Sequence, residues 1–208
     1  MHPNPIFRRE ARARHVAFVR DRAFGQLTLN GPEGPLAAHV PILLDAPAES
    51  AELHLLRSNP VAHALTAPQP ALFIVAGPDA YISPDWYSAA DQVPTWNYVA
   101  VHLRGTLEKL PLDTLRPVLD RLSDAMEERL PKRPWRSTKM SPGVMDRMMR
   151  SLVPCRLVIS EIDGTWKLSQ NKRQEDRDGA ILGIGSAAAP GLAHHVLAAW
   201  MRCVSEEP

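Results

Sequence analysis

Three short stretches carry most of the side chains in this sequence that could do chemistry. The first is Arg57-Ser58-Asn59-Pro60. Asn59 suits a helix N-cap and Pro60 the first helical position, so free backbone N–H groups would open beside a guanidinium. Such a corner attracts phosphate, though Arg57 would serve equally as a surface residue. The second stretch is Ala80 to Gly105, AYISPDWYSAADQVPTWNYVAVHLRG, which holds all three tyrosines and two of the five tryptophans. Rings beside Ser83, Thr95 and Asn97 could wall a flat ligand, with faces stacking and hydroxyls and amide fixing its edges. The same cluster could instead close a small core. The third is KLSQN, where Lys167, Ser169, Gln170 and Asn171 crowd polar groups behind Trp166.

The elements that must position these residues are short and interrupted by many of the 20 prolines. Arg8 to Arg22 reads as a helix whose arginines form a solvated face or a nucleic-acid contact, the former being the commoner outcome. Phe24 to Leu29 and Leu36 to Leu44 read as strands about the turn GPEGP, Gly31 to Pro35. Pro41 marks the second as an edge or a bulge, so His39, Val40 and Pro41 would leave backbone groups open to a ligand. Glu52 to Leu56 is a third strand, followed by a short helix from Val61 to Ala67. Ala71 to Ala76 is an apolar strand that ends at the turn GPDA. Val99, Val101 and Leu103 alternate with Ala100, His102 and Arg104, which predicts a half-buried strand over Val99 to Leu107.

Leu115, Val118, Leu119, Leu122, Met126 and Leu130 share a helical face, with Asp113 as the expected cap. Ser141-Pro142 opens a helix with a methionine stripe (Met145, Met148, Met149) that suits a core or a dimer contact. Arg156 to Ile162 is the last strand expected, ended by DG. The stretch Asn171 to Arg177 is charged and expected to be exposed, and Gly179 to Pro190 to be flexible. Leu192, Val196, Ala199, Trp200 and Cys203 give a C-terminal helix its apolar face. The fold class these elements imply is mainly β with α additions, a small barrel with peripheral helices.

Composition narrows the function. A chain of 208 residues with 45% hydrophobic residues has enough apolar material for a proper core. A formal charge of +1 gives no whole-protein field for nucleic acid. A local patch remains: Arg129, Lys132, Arg133, Arg136, Lys139, Arg147 and Arg150 stand against the single acid Asp146. No apolar run approaches the roughly 20 residues that span a bilayer, and the N-terminal stretch has no apolar leader region. Cys155 and Cys203 suggest neither a disulfide framework nor a zinc knuckle, so a cytoplasmic protein is expected. The sequence has no GxSxG, Walker loop or HExxH, and GIG at Gly183 to Gly185 follows no strand of a βαβ unit. His39, His54, His63 and His102 lack metal-ligand spacing and read as packing residues, so no metal is expected. What remains is an anion corner, an open strand, an aromatic wall and a polar tail. A ligand with a phosphate at one end and a flat polar ring at the other, such as flavin mononucleotide (FMN), would use all of them.

These segments resemble the PaiB family, described as FMN-binding negative transcriptional regulators. The matching stretches are FGQLTLNGPEGPLAAHVPILL, HLLRSNP, GPDAYISPDWY, VPTWNYVAVHLRG and WKLSQN, which extend from about residue 6 to residue 175. The resemblance implies a split β-barrel, FMN as cofactor, and a homodimer whose flavin sites are lined by both chains. It implies one domain over residues 1–208, with a helical insertion at about 113–153 and a C-terminal helix at about 191–204. Carried over residue by residue, His39, Val40 and Pro41 would line the ring, and Arg57, Ser58 and Asn59 would approach the phosphate. Tyr81, Ser83, Trp86 and Tyr87 would border the site. Thr95, Trp96, Asn97 and Tyr98 would come from the partner, and Lys167, Gln170 and Asn171 would close the polar end. Leu53-His54 departs from the Gly-His expected in relatives, and a bulkier residue there would narrow the approach to the site.

The resemblance implies a negative transcriptional regulator or a flavin-linked sensor. The same site would also suit a flavin-dependent oxidoreductase using a nicotinamide cofactor. A haem-binding split barrel and a flavin-free DNA-binding dimer complete the alternatives. DNA contact would fall to Lys132, Arg133, Arg136 and Lys139, because basic surface binds phosphate without regard to sequence. No base-reading helix is identifiable, since the helix after Ser141 carries methionines where such side chains belong.

Overall fold

The computed structural model describes residues 1–186 and 189–204. It has seven β-strands in one sheet of order β2-β1-β5-β6-β7-β4-β3, with six α-helices among the described residues. The strands are β1 (Phe24–Gly31), β2 (Gly34–Pro41), β3 (Leu43–Leu44), β4 (Ser50–Leu56), β5 (Gln69–Ile82), β6 (Thr95–Lys109) and β7 (Leu152–Lys167). The helices are α1 (Arg12–Arg22), α2 (Pro60–Ala64), α3 (Leu115–Glu127), α4 (Val144–Met149), α5 (Gln174–Ser186) and α6 (His194–Arg202). β1 runs antiparallel to β2 and β5, and β4 runs antiparallel to β3 and β7. The chain divides into two compact units, to both of which β5, β6 and β7 contribute. The first takes Met1–His15, Ala76–Val101 and the chain from Asp163; the second takes Val16–Val75 and His102–Ile162.

In the second unit, β1 and β2 form a hairpin with Phe24 opposite Pro41 and Gly31 opposite Gly34. β2 is an edge strand, which is where a residue without an N–H is tolerated. Leu27, Leu53, Leu55, Phe73, Leu103, Leu107 and Leu157 are almost fully buried and make the core. Leu110, Val118 and Leu122 form a satellite cluster under α3, with Leu43 against it. Thr114 precedes α3, and no side chain caps its first turn, so the cap expected of Asp113 is absent. Nor do the methionines of α4 supply a core within this chain, since Met148 is 57% exposed.

In the first unit, Ile82, Val99, Val101, Trp166, Leu168, Ile184, Leu197 and Met201 are buried. The N-terminal helix starts later than expected: a 3-10 turn, Pro5–Phe7, capped by Asn4, comes first. Four other expectations fail here. β5 runs through GPDA, where Asp79 and Tyr81 donate their backbone N–H groups to the carbonyls of Leu192 and Pro190 at 3.0 and 2.9 Å. β7 runs through Asp163-Gly164, where the missing side chain leaves room for the His15 ring. The stretch expected to be exposed and then flexible opens with a turn and then forms α5, and Asp176 and Arg177 are buried. Residues 187–188 of that stretch lie outside the described residues. On α6 the buried positions are Leu197, Ala198 and Met201, not the face read from the sequence, because the helix begins only at His194.

Each unit holds a histidine whose burial favours the neutral form. His15, in the first, accepts a hydrogen bond at Nδ1 from Trp166 Nε1 at 3.0 Å. Burial lowers its pKa, and the Arg14 charge adds to this while Asp163 and Glu10 oppose it. Burial also lowers His54, on β4 of the second unit. The unfolded chain takes up protons near pH 6.5 at these positions, and the folded chain resists them to lower pH. Stability is therefore complete above pH 6.5 and declines as pH falls through the folded pKa values. Urea melts at pH 7.5 and 5.5 are expected to show a lower midpoint at 5.5; equal midpoints would refute this account.

Candidate functional site

Within the first unit, β6, the loop after the 3-10 turn Pro84–Trp86, the end of β7 with the turn that follows it, and the N-terminal residues line a cavity of about 270 Å³. His2, Asn4, Phe7, Tyr87, Val93, Thr95, Asn97, Lys167, Ser169, Asn171 and Lys172 line it. The alternation of β6 explains why Asn97 is there. It stands in the inward register of Val99, Val101 and Leu103 and is fully buried. Its Nδ2 donates to Ser169 Oγ at 2.8 Å and to Met201 Sδ at 3.5 Å. Among the described residues nothing donates to its Oδ1.

The turn after β7 sets the opposite wall. Ser169 adopts φ 61°, a left-handed backbone that a non-glycine residue enters at some cost. Gln170 holds the turn, accepting from the Leu168 N–H at 2.7 Å and donating to the Trp166 carbonyl at 2.5 Å. Lys172 N–H closes it on the Ser169 carbonyl at 2.9 Å. Lys167 and Lys172 are thereby brought to one cavity. Lys167 donates to Thr95 Oγ1 and Lys172 to Gln92 Oε1. Lys167 Nζ lies 5.9 Å from the Phe7 ring centre, and Lys172 Nζ lies 4.9 Å from that of Tyr87.

The electrostatics follow from this crowding. Burial lowers the Lys167 pKa, and the Lys172 charge lowers it further. Burial and Lys167 likewise lower His2. Among the described residues neither lysine has a carboxylate within ion-pair distance, and no acid lines the cavity. Burial pushes the Tyr87 phenol up; Ser169 opposes the shift and Asp176 adds to it. The Tyr87 hydroxyl faces Ser169 but closes no hydrogen bond of normal geometry.

α5 anchors the loop that carries Tyr87 and Val93. Asp176 Oδ1 accepts from Ser88 N–H at 2.8 Å, Ser88 Oγ at 2.9 Å and Ala89 N–H at 3.0 Å. These bonds, that of Ala89 foremost, hold its carboxyl below the usual range. Trp86 lies along the groove left by Gly179 and Gly183, where a side chain at either position would collide with it.

Of the residues singled out in the sequence, Tyr87, Thr95, Asn97, Lys167 and Asn171 share this cavity. Tyr81 meets Trp96 edge to face at 6.1 Å, Ser83 caps the turn at Pro84, and Tyr98 follows on β6. His39, Val40, Pro41, Arg57, Ser58 and Asn59 belong to the second unit. There the Asn59 side chain accepts from Val61 N–H at 2.9 Å and caps α2, as its spacing predicts. Arg57 Nε donates to the Arg150 carbonyl at 2.7 Å. Arg57 also lines a separate cavity of about 310 Å³ with Arg116, Asp113 and Asp146. The basic patch is largely engaged: Lys132 pairs with Glu127, Arg136 with Asp124 at 2.9 Å, and Arg129 donates to the Asp21 carbonyl at 2.7 Å. Lys139 reaches the Pro134 carbonyl at 3.5 Å, and Arg133 is exposed. Ser169, named in the sequence only as one of the polar groups of KLSQN, lines the cavity too, whereas sequence reasoning passed over Lys172 next to that stretch, and also His2, Asn4, Phe7 and Val93. Among the described residues no helix is long and apolar enough to cross a membrane, and no group of three or more His, Cys, Asp or Glu is placed to hold a metal.

Comparison with known proteins places the chain in a family. Residues 1–161 match the family described as "Putative FMN-binding domain". The chain is 30% identical over 161 residues to the protease synthase and sporulation protein PAI 2 of Bacillus subtilis, covering 76% of this chain and 77% of that protein. A FAD and heme binding protein from Mycobacterium smegmatis superposes with a TM-score of 0.61 at 15% identity, over 89% of this chain and 83% of that one. A flavocytochrome from Azotobacter vinelandii superposes with a TM-score of 0.57 at 14% identity, over 92% and 81%. Identities this low speak for the fold, which is the expected one: mainly β, a split barrel with helical additions. The chain belongs to this FMN-binding-domain family, the PaiB family that its motifs resembled.

Proposed function

We propose that the protein binds FMN and acts as a flavin-linked sensor or negative transcriptional regulator. The observation that carries the reading is the pair of lysines without carboxylate partners, set beside two aromatic rings in one cavity. Unpaired cations in a partly buried site favour an anionic or carbonyl-rich ligand, and the rings favour a flat one. At about 270 Å³ the cavity is slightly below the roughly 300–1,000 Å³ of small-molecule pockets. It suits part of the ligand, with the remainder extending beyond it. Lys167, Lys172, Asn97 and Tyr87 would hold that part, and bound flavin would supply reversible electron and hydride chemistry.

The regulatory role is supported by the likeness to PAI 2, whose name ties that protein to protease synthesis and sporulation. The engaged state of Arg129, Lys132 and Arg136 favours the sensor over direct DNA contact through this patch. The homodimer implied by the resemblance is retained as part of the proposal.

The test is a fluorescence titration of FMN with the full chain, run alongside sedimentation. Saturable quenching at micromolar protein, with one FMN per chain in a dimer, is the expected result. Unquenched flavin would remove the flavin reading, and a monomer that still binds FMN would remove the dimer. Retention on DNA at low salt, unaffected by FMN, would argue against the sensor.

A further inference from the structure

We propose that Asn97 selects which edge of the ring enters the cavity, and that it admits a fused-ring ligand presenting an imide N–H. This inference rests on the flavin reading above and adds a specificity-determining residue to it. The orientation of the Asn97 amide is fixed by its neighbours. Ser169 Oγ, at 2.8 Å, can donate or accept. Met201 Sδ, at 3.5 Å, can only accept, so the NH₂ end must face it. The carbonyl end is then buried and without a donor, on a residue that lines the cavity. Buried acceptors in native proteins almost always have a partner, and none is supplied here by a described residue.

The missing partner must be a donor. A phosphate or carboxylate oxygen would meet Oδ1 with like-signed charge and is excluded from that position. The pyrimidine edge of a flavin reads carbonyl, N–H, carbonyl. Its central N–H matches Asn97 Oδ1, and its carbonyls match the ammonium groups of Lys167 and Lys172 that line the same cavity. Pteridine-diones carry the same edge and belong to the same ligand class. The phosphate of FMN accordingly lies away from Asn97.

The test compares FMN with its N3-methyl derivative on the full wild-type chain, by quenching or calorimetry. The methylated ligand is expected to bind about 10- to 100-fold more weakly, as a buried acceptor left unpaired should give. In an Asn97→Ala chain, FMN should weaken about 10-fold and the gap between the two ligands should close to within about 3-fold, since both the acceptor and the obstruction are gone. Equal wild-type affinities for the two ligands would overturn the role of Asn97 and leave the flavin reading intact. Failure of both ligands to bind would overturn the flavin reading and this inference with it. If Asn97→Ala does not fold by circular dichroism, the wild-type comparison decides alone.

Discussion

Replacing Lys167 and Lys172 together with methionine is expected to lower FMN affinity by about 100-fold, with each single change contributing about 10-fold. Methionine keeps most of the stem and its contact with the rings, so the variant isolates the charge. Neither lysine has a carboxylate partner, so its removal orphans no acid, and folding should survive. Salt gives a second readout. Added NaCl should weaken FMN binding by the wild-type chain more than by the variant, because less charge remains to be screened. Wild-type affinity should also decline as pH rises, and sooner than for an ordinary lysine, because the Lys167 pKa is lowered. A double variant that binds FMN as the wild type does would place the ligand elsewhere.

A Trp166→Ala chain is expected to lose about 4 kcal/mol of stability, the largest effect anticipated for a single substitution here. Trp166 is 3% exposed. Its ring lies under the Arg14 guanidinium at 4.2 Å and beside Trp200 at 5.4 Å. Truncation removes all of this packing and leaves His15 Nδ1 without its donor. Trp166→Phe keeps much of the packing but still orphans that nitrogen, and should lose about 1–3 kcal/mol. The order Ala, Phe, wild type in urea midpoint is the signature. If phenylalanine were as damaging as alanine, packing would not be the main contribution. FMN affinity should fall with Trp166→Ala even where the chain remains folded, because the next residue is Lys167.

How much of this was legible in the sequence depended on whether local pattern or distant contact decided the outcome. The cap at Asn59 is local chemistry and appeared as read. Asn97 was singled out only for the rings around it, because β6 starts at Thr95 and not at Val99 as expected. The alternation of Val99, Val101 and Leu103 points back to it, and an amide in an apolar register signals a site. GPDA and Asp163-Gly164 look like turns to any local rule, yet both lie inside strands. At the first, carbonyls more than a hundred residues away accept from the strand; at the second, a histidine ring fills the space over a glycine. The conformation of Ser169 left no trace in its residue type, since serine has no preference for positive φ. Lys172 was hidden in a charged run that seemed solvated, although the same run contains the buried Asp176 and Arg177. The family match ends at residue 161, so Lys167, Ser169 and Lys172 lie beyond its range.

The glycine groove of α5 bears on how this pocket could be moved to another protein. The aromatic segment from Tyr81 to Tyr87 does not keep its own shape: its tryptophan rests on Gly179 and Gly183, and the chain just past it hangs from Asp176. Transplanting the aromatic motif alone would give a loose tether with no pocket. The smallest portable piece pairs that segment with a helix nearly a hundred residues downstream, whose value lies in the side chains it lacks.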